Sequence, residues 1–275
     1  AVQKPIAPGQ QVVRPGEDAG QGQLVLPAGR VLSARGIAAL AALGVERVKV
    51  AKRPRVAILS TGDEIVPVEN TPTPGQMRDV NGPMLCAQAA AFGAAADYLG
   101  IVPDEEEALA AALRAAAEGY ALVLVSGGSS AGEKDAVARV IGRLGALLFH
   151  GLAAKPGKPT LAGEIGGVPV VGLPGHPLAA HMVCHVLLRP MIGRMLGTAR
   201  NERAILARLS CNLPANDGRE ALVPVRLNGG RIEPLNFKSG LITGLQESDG
   251  YIRVPRDCEG LNCDEELPVY LWENE

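Results

Sequence analysis

From Val56 to about residue 197 the apolar positions come in two alternating forms, short unbroken runs and runs spaced three to four residues apart. VAILS (56–60), YLGIV (98–102) and ALVLV (121–125) are unbroken, the pattern of strands buried on both faces. Helix-spaced stretches lie between and after them: one following Asn81, one from Asp104, and one over 136–144 with Val137, Val140, Ile141 and Leu144 on one face. Asp104 with Glu107 three residues on has the spacing of a capping box, which predicts that the second helix opens at Asp104. Strand and helix in alternation predict a mostly parallel sheet flanked by helices. LLFHGLA follows, then TLAGEI and VPVVGL meeting at Gly166-Gly167 as a hairpin, and then a helix from Pro177 that Pro190 should kink.

The two ends of the chain have other periods. After residue 197 the apolar positions recur at every second residue in ILARLS, ALVPVRL and RIEPLNF, around an Asn228-Gly229-Gly230 turn, and YIRVP and LPVYLW follow. This predicts a separate small all-β domain over 198–275. Before Val56, residues 24–50 predict a strand in LVLPAG, a helix opened by Ser33 and closed by Gly44, and a second strand in VERVKV. Arg53-Pro54-Arg55 ends that partial α+β segment, giving boundaries of 1–54, 55–197 and 198–275. The opening AVQKPIAPGQ lacks Met and starts in mid-pattern, so the chain is expected to be a fragment.

Composition narrows the chemistry. Hydrophobic residues are 47% of 275 and charged ones 20%, enough apolar surface for compact cores. A net charge of −2 and aromatics of only 3% supply neither a basic stripe nor stacking platforms, which argues against a nucleic-acid partner. No apolar run reaches roughly 18 residues, so no membrane span is expected. The odd count of five cysteines, with no CxxC pair, argues against a disulfide framework and for a cytoplasmic protein.

Candidate chemistry gathers where buried strands end, the place at which open parallel sheets bind ligands. In STGDE (60–64), Thr61 and Gly62 turn the chain after a strand, and Asp63 and Glu64 stand where they could bind Mg²⁺ or activate water. In SGGSSAGEKD (126–135), Gly127, Gly128 and Gly132 let backbone approach a ligand, while Ser129, Ser130 and the following helix start offer donors to an anion. This is neither a Walker motif nor GxGxxG. In AKPGKP (154–159), Pro156 and Pro159 stiffen the chain around Gly157 and hold Lys155 and Lys158 for a phosphate or oxyanion. GLPGHP (172–177) brings Pro174, Gly175 and His176 to another strand-to-helix turn. Each loop also has a bland reading as a plain turn. His181 and His185, spaced i, i+4, have zinc-like spacing, but without an evident third ligand they read as a pair on the exposed side of a helix.

Together TGDE, GGSSAGEKD, KPGKP and GLPGHP, in this order, resemble the molybdopterin molybdenumtransferase family, known as MoeA in bacteria and the gephyrin E domain in animals. RPGEDAGQGQLVLPAG and GQMRDVN are similar to it as well, and the C-terminal section resembles its small all-β, barrel-like domain. The resemblance implies a molybdopterin-binding α/β fold and the last step of molybdenum cofactor synthesis. In that step adenylylated molybdopterin receives molybdate at its dithiolene sulfurs and AMP is released with the help of Mg²⁺. It names Glu64, Asp104, Asp135 and Lys155 as active-site residues, Glu64 and Asp135 as Mg²⁺ ligands, and Arg219 as a further lining residue. A homodimer and hand-over from the molybdopterin adenylyltransferase are implied too. His176 departs from the family's usual Asn, and Gly151 from the second lysine of some members. The rival readings are a molybdopterin-binding or scaffold module, the adenylyltransferase itself, and the CinA-type family, which shares TGDE-like and GG loops but not KPGKP with GLPG.

Overall fold

The structure is a computed structural model that describes residues 5–127, 135–198, 203–214, 218–236, 240 and 242–272. It divides into two compact units, Ala1–Ala51 and Lys52–Glu275. In the first, helix α1 (Ala34–Ala42) opens at Ser33, whose hydroxyl accepts from the Gly36 N–H at 3.3 Å, and Gly44 follows it at φ +74°. The expected strands in LVLPAG and VERVKV do not form. No described residue there enters a ladder, and Leu24, Val25, Val45, Val48 and Val50 are exposed. A β-prone run without a hydrogen-bonded neighbour stays irregular.

In the second unit the chain runs β1 (Arg55–Thr61), the short β2 (Ile65–Val66) and β3 (Met77–Arg78), α2 (Asn81–Ala91), β4 (Ala95–Val102), α3 (Glu106–Gly119), β5 (Leu122–Ser126) and α4 (Ala136–Leu144). Then come β6 (Ala146–His150), β7 (Ala154–Lys155), β8 (Leu161–Ile165) and β9 (Val168–Leu173). The six-stranded sheet has the order β4-β1-β5-β9-β8-β6, parallel from β4 through β9 and antiparallel beyond. The β8–β9 hairpin turns at Gly166 and Gly167, with φ of +59° and +82°.

Alternation along the central strands assigns the two faces. Val56 and Ile58 of β1 and Leu122 and Leu124 of β5 pack with α2 and the helix after β9. Ala57, Leu59, Val123 and Val125 pack on the other face against Leu109 and Leu113 of α3 and Val137, Val140 and Ile141 of α4. Gly145 then lets the chain double back, since a Cβ there would lie 1.9 Å from the Glu164 carbonyl oxygen.

Two expectations about helices are corrected. The helix after Val102 starts at Glu106, with Glu105 at the cap and no side-chain cap bond, so Asp104 is not a capping residue. Its intended partner is drawn elsewhere: Glu107 receives Arg143 at 2.6 Å and Glu106 receives Arg139 at 2.6 Å, both from α4. The helix from Pro177 is α5 (Pro177–Val183), then a π-wound stretch Cys184–Leu188, then α6 (Arg189–Met195). The change of winding therefore precedes Pro190 instead of falling on it, and absorbs the donor that proline lacks.

The C-terminal section contains β10 (Ala204–Leu209), β11 (Leu213–Pro214), β12 (Glu220–Asn228), β13 (Arg231–Pro234), β14 (Gly250–Val254), β15 (Gly260–Leu261) and β16 (Glu266–Leu271). Strands β10, β16, β14, β12 and β13 close into a barrel, because β13 pairs with both β12 and β10. Ala207, Leu209, Val225, Ile232, Ile252 and Val269 fill it. The barrel is joined to the sheet domain by β7, whose Ala154 and Lys155 pair with Glu220 and Ala221, and by Leu178 and Met182 of α5 packing on Leu222, Leu245 and Tyr251. His181 and His185 lie in that seam, 5% and 1% exposed, with Trp272 ring centroids at 4.8 and 4.6 Å. They are therefore buried, not solvent-facing, because the barrel covers the helix face that carries them.

These caps give a stability test. Asp135 at the start of α4 does cap its helix, accepting from the Ala138 N–H at 3.1 Å. Asp135→Ala should cost at least about 1 kcal/mol and Asp104→Ala less than about 0.5 kcal/mol in denaturant unfolding. Equal losses for the two would show that Asp104 caps α3 after all.

Candidate active site

The strand order locates the site. From β1 the chain crosses to β4 on one side, and from β5 it moves away on the other, so the connections diverge between the carboxyl ends of β1 and β5. The two ends approach closely: a Cβ on Gly127 would lie 2.0 Å from the Thr61 carbonyl oxygen, and Gly127 has φ +94°. Only glycine fits there.

A cleft of about 540 Å³ opens over this point. Thr61, Gly62, Glu64, Asp104, Gly127, Pro174, Gly175 and His176 line it, together with Ser60, Asp79, Asn81 and Ser126. All four loops picked out in the sequence thus reach this cleft, AKPGKP through Pro159 alone. Asp63 is exposed and outside the lining, while Glu64 folds back so that its Oε2 would be 2.9 Å from a Cβ on Gly62. Gly128, Ser129, Ser130 and Gly132 lie outside the described residues.

Beside it lies a second cleft of about 620 Å³, lined by Lys155, Pro156, Gly157, Lys158 and Arg219. Pro159, Pro174 and His176 belong to both clefts and form the wall between them. The KPGKP loop is held from within. Thr160 donates its hydroxyl to the Gly157 carbonyl at 2.7 Å, and the Leu152 N–H donates to the Lys158 carbonyl at 3.0 Å. A Cβ on Gly157 would meet Val183 Cγ2 at 2.7 Å. Both lysines are exposed and stand on a fixed backbone, a surface suited to an anion.

Asp135 is not brought to either cleft. It is 1% exposed, with Oδ1 on the Ala138 N–H and Oδ2 3.1 Å from His150 Nε2. Burial raises its pKa, and the α4 N–H and the His150 ring pull the other way.

Residues missed in the sequence hold the first cleft together. Asp79 is 3% exposed and accepts four hydrogen bonds: the Ser60 and Tyr98 hydroxyls on Oδ2, each at 2.6 Å, and the Asn81 and Gly82 N–H groups on Oδ1, each at 3.0 Å. Asn81 donates from Nδ2 to Ser126 Oγ at 2.7 Å and to the Gly175 carbonyl at 2.8 Å, which fixes its amide orientation, since a carbonyl only accepts. Burial, then the Asp79 carboxylate, push the Tyr98 phenol up, so it stays a neutral donor. The one signal for this network was an acidic residue two positions before a helix start in GQMRDVN.

Comparison with known proteins agrees with this geometry. A family described as "Probable molybdopterin binding domain" matches residues 57–194, and one described as "MoeA C-terminal region (domain IV)" matches 206–272. A putative molybdopterin biosynthesis protein of Methanocaldococcus jannaschii is 30% identical over 279 residues, spanning 98% of this chain and 68% of that relative. The molybdopterin molybdenumtransferase of Haemophilus influenzae is 35% identical over 190 residues, spanning 69% of this chain and 47% of that enzyme. Among solved structures, a molybdopterin biosynthesis MoeA protein from Pyrococcus horikoshii superimposes with a TM-score of 0.87 at 36% identity, covering 99% of this chain and 68% of the other. The chain thus spans about half to two thirds of the length of these relatives.

Asp135 gives this site a pH signature. With its folded-state pKa raised, its contribution to stability is present at low pH and lost as pH rises through the folded value. Asp135→Asn keeps a capping oxygen and removes the titration. The stability of the parent chain relative to this variant should fall as pH rises through and above the ordinary aspartate range, about pH 4. A difference that stays flat or grows would contradict the burial of this carboxyl.

Proposed function

The chain belongs to the molybdopterin molybdenumtransferase (MoeA) family of molybdenum cofactor biosynthesis, and from that premise we propose that it binds adenylylated molybdopterin and inserts molybdate at its dithiolene sulfurs with release of AMP. The observation that carries the proposal is the adjacency of two clefts of opposite chemistry, one with Glu64 and Asp104, the other with Lys155, Lys158 and Arg219. A substrate whose phosphoanhydride joins a pterin phosphate to AMP, and which must meet molybdate, presents matching groups to both: phosphate oxygens for a cation held in the first cleft and anionic groups for the lysines and arginine of the second.

Mg²⁺ suits the first cleft in one form only. Among the described residues no group of three or more His, Cys, Asp or Glu stands together as a metal cage. Two carboxylates in one cleft fit a cation that brings phosphate oxygens and waters as its remaining ligands, which is the habit of Mg²⁺. Glu64 and Asp104 are the residues that would hold it there, in place of the expected pair Glu64 and Asp135, because Asp135 lines neither cleft. Once bound, it would supply charge neutralisation on the phosphoanhydride.

The protein's own groups do the rest of the positioning. Lys155, Lys158 and Arg219 attract molybdate and the pterin phosphate, and the rigid KPGKP backbone keeps the lysines from following the ligand away. Gly127 and Gly62 keep the floor of the first cleft free of side chains, so a phosphate can approach the strand ends. Asp135 is the buried cap of α4, the helix that opens at the end of the SGGSSAGEKD segment. The proposal extends to a homodimer that takes its substrate from the adenylyltransferase.

Lys155→Ala should weaken binding of the phosphorylated pterin roughly tenfold to a hundredfold by calorimetry, the worth of one charge-assisted contact. Glu64→Gln should leave that binding within about twofold and reduce Mg²⁺-dependent AMP release by at least about tenfold. Unchanged pterin affinity in the lysine variant, or unchanged turnover in the glutamine variant, would remove the assigned role. Pterin binding with no AMP release from the parent chain would favour the scaffold reading over the enzymatic one.

A further inference from the structure

We propose that Cys211 and Cys263 form a thiol pair at which a small-molecule disulfide, such as oxidised glutathione, closes a bridge across two strands beside the lysine-lined cleft. Of the five cysteines, Cys184 is buried, Cys86 and Cys258 are half-buried, and only Cys211 and Cys263 are exposed. Burial pushes the Cys86 thiol up, and Cys258 donates to the Pro255 carbonyl at 3.3 Å. Access to a reagent therefore singles out the other two.

The fold brings their segments side by side. Strands β11 and β15 run antiparallel with Leu213 facing Leu261 and Pro214 facing Gly260. Cys211 leads into the first of these strands and Cys263 follows the second, in a turn that the Glu265 N–H closes on the Asn262 carbonyl at 3.2 Å. Beyond them Leu209 bonds to this turn twice: its N–H donates to the Glu265 carbonyl at 2.9 Å and its carbonyl accepts from the Asp264 N–H at 2.8 Å. Cys263 also leans towards the facing segment. Its thiol donates to the Ser210 carbonyl at 3.3 Å, the peptide group that leads into Cys211, and its N–H donates to Asn212 Oδ1 at 2.7 Å.

A bridge needs Cβ atoms about 3.5–4.5 Å apart. Both segments are anchored beside the pair: Arg231 donates to Asp264 at 2.6 Å and to the Leu209 carbonyl at 3.3 Å, and the Ser210 N–H donates to the Ile232 carbonyl at 2.9 Å. In the reaction one thiolate attacks the glutathione disulfide, forming a mixed disulfide and releasing one glutathione thiol. The second cysteine displaces the other glutathione, and both thiol protons leave with the two glutathiones. Leu213 and Pro214, which follow Cys211, line the lysine cleft, so the bridge braces that wall.

The test is incubation of the whole chain with oxidised glutathione, followed by peptide mapping and hydrogen exchange. The expected product has lost two hydrogen masses, links the Cys211 and Cys263 peptides, melts at least about 4 °C higher and exchanges more slowly over 209–213. Cys211→Ser and Cys263→Ser should each abolish the link and leave a single glutathione adduct on the remaining thiol. Two stable glutathione adducts on the parent chain, a link through Cys258, or a bridge that leaves exchange over 209–213 unchanged would overturn the proposal.

Discussion

The site depends on one buried carboxylate. Asp79 gathers two hydroxyls and two backbone N–H groups from β1, β4 and the start of α2, and these four donors match the acceptor capacity of a carboxylate. Without them a charge at 3% exposure would be very costly; with them it ties the carboxyl ends of two strands to the helix that follows. Gly82 is part of the same constraint, since a Cβ there would sit 2.6 Å from Asp79 Oδ2 and 2.5 Å from the Tyr98 ring. Removing one donor would leave the carboxylate with an unmatched lone pair in a dry setting, which costs more than the bond itself contributes.

From that anchor the polar floor spreads across the sheet. Asn81, positioned by Asp79, carries the connection to Ser126 at the end of β5 and to Gly175 after β9, so four of the six strands are linked at one edge. Glu64 and Asp104 stand above this floor on exposed turns, and Lys155 and Lys158 stand on a loop stiffened by proline and by its own hydrogen bonds.

The barrel contributes more than a lid. By pairing β7 with β12 it fixes Lys155 at a strand end, and by bringing Arg219, Leu213 and Pro214 against the KPGKP loop it turns an open loop into a cleft. The same docking buries His181 and His185 under Trp272 and Tyr251, which concentrates much of a small aromatic content in one seam. A barrel detached from the sheet domain would expose that seam and dissolve the lysine cleft together.

The sequence by itself determined the local elements. Unbroken apolar runs are strands because both faces of β1 and β5 are buried, the 136–144 periodicity is α4, and Gly166-Gly167 is a hairpin because two successive positive φ angles suit glycine. It also marked the loops, whose glycines, prolines and charges are spent on conformations and ligands instead of cores. Tertiary structure decided everything that needed a partner distant in the chain. LVLPAG and VERVKV had the composition of strands and no neighbour to pair with, and Glu107 left its expected cap for Arg143 on another helix. Asp104 read as a helix cap and Asp135 as the end of the glycine loop, yet folding made Asp135 the cap of α4 beside His150 and put Asp104 on the rim of a cleft. Asp79 and Asn81 carried almost no signal, because a buried polar network is defined by donors that converge only when the strands align. Spacing along a chain reports period and turn chemistry, whereas burial and hydrogen-bond saturation are properties of the folded set.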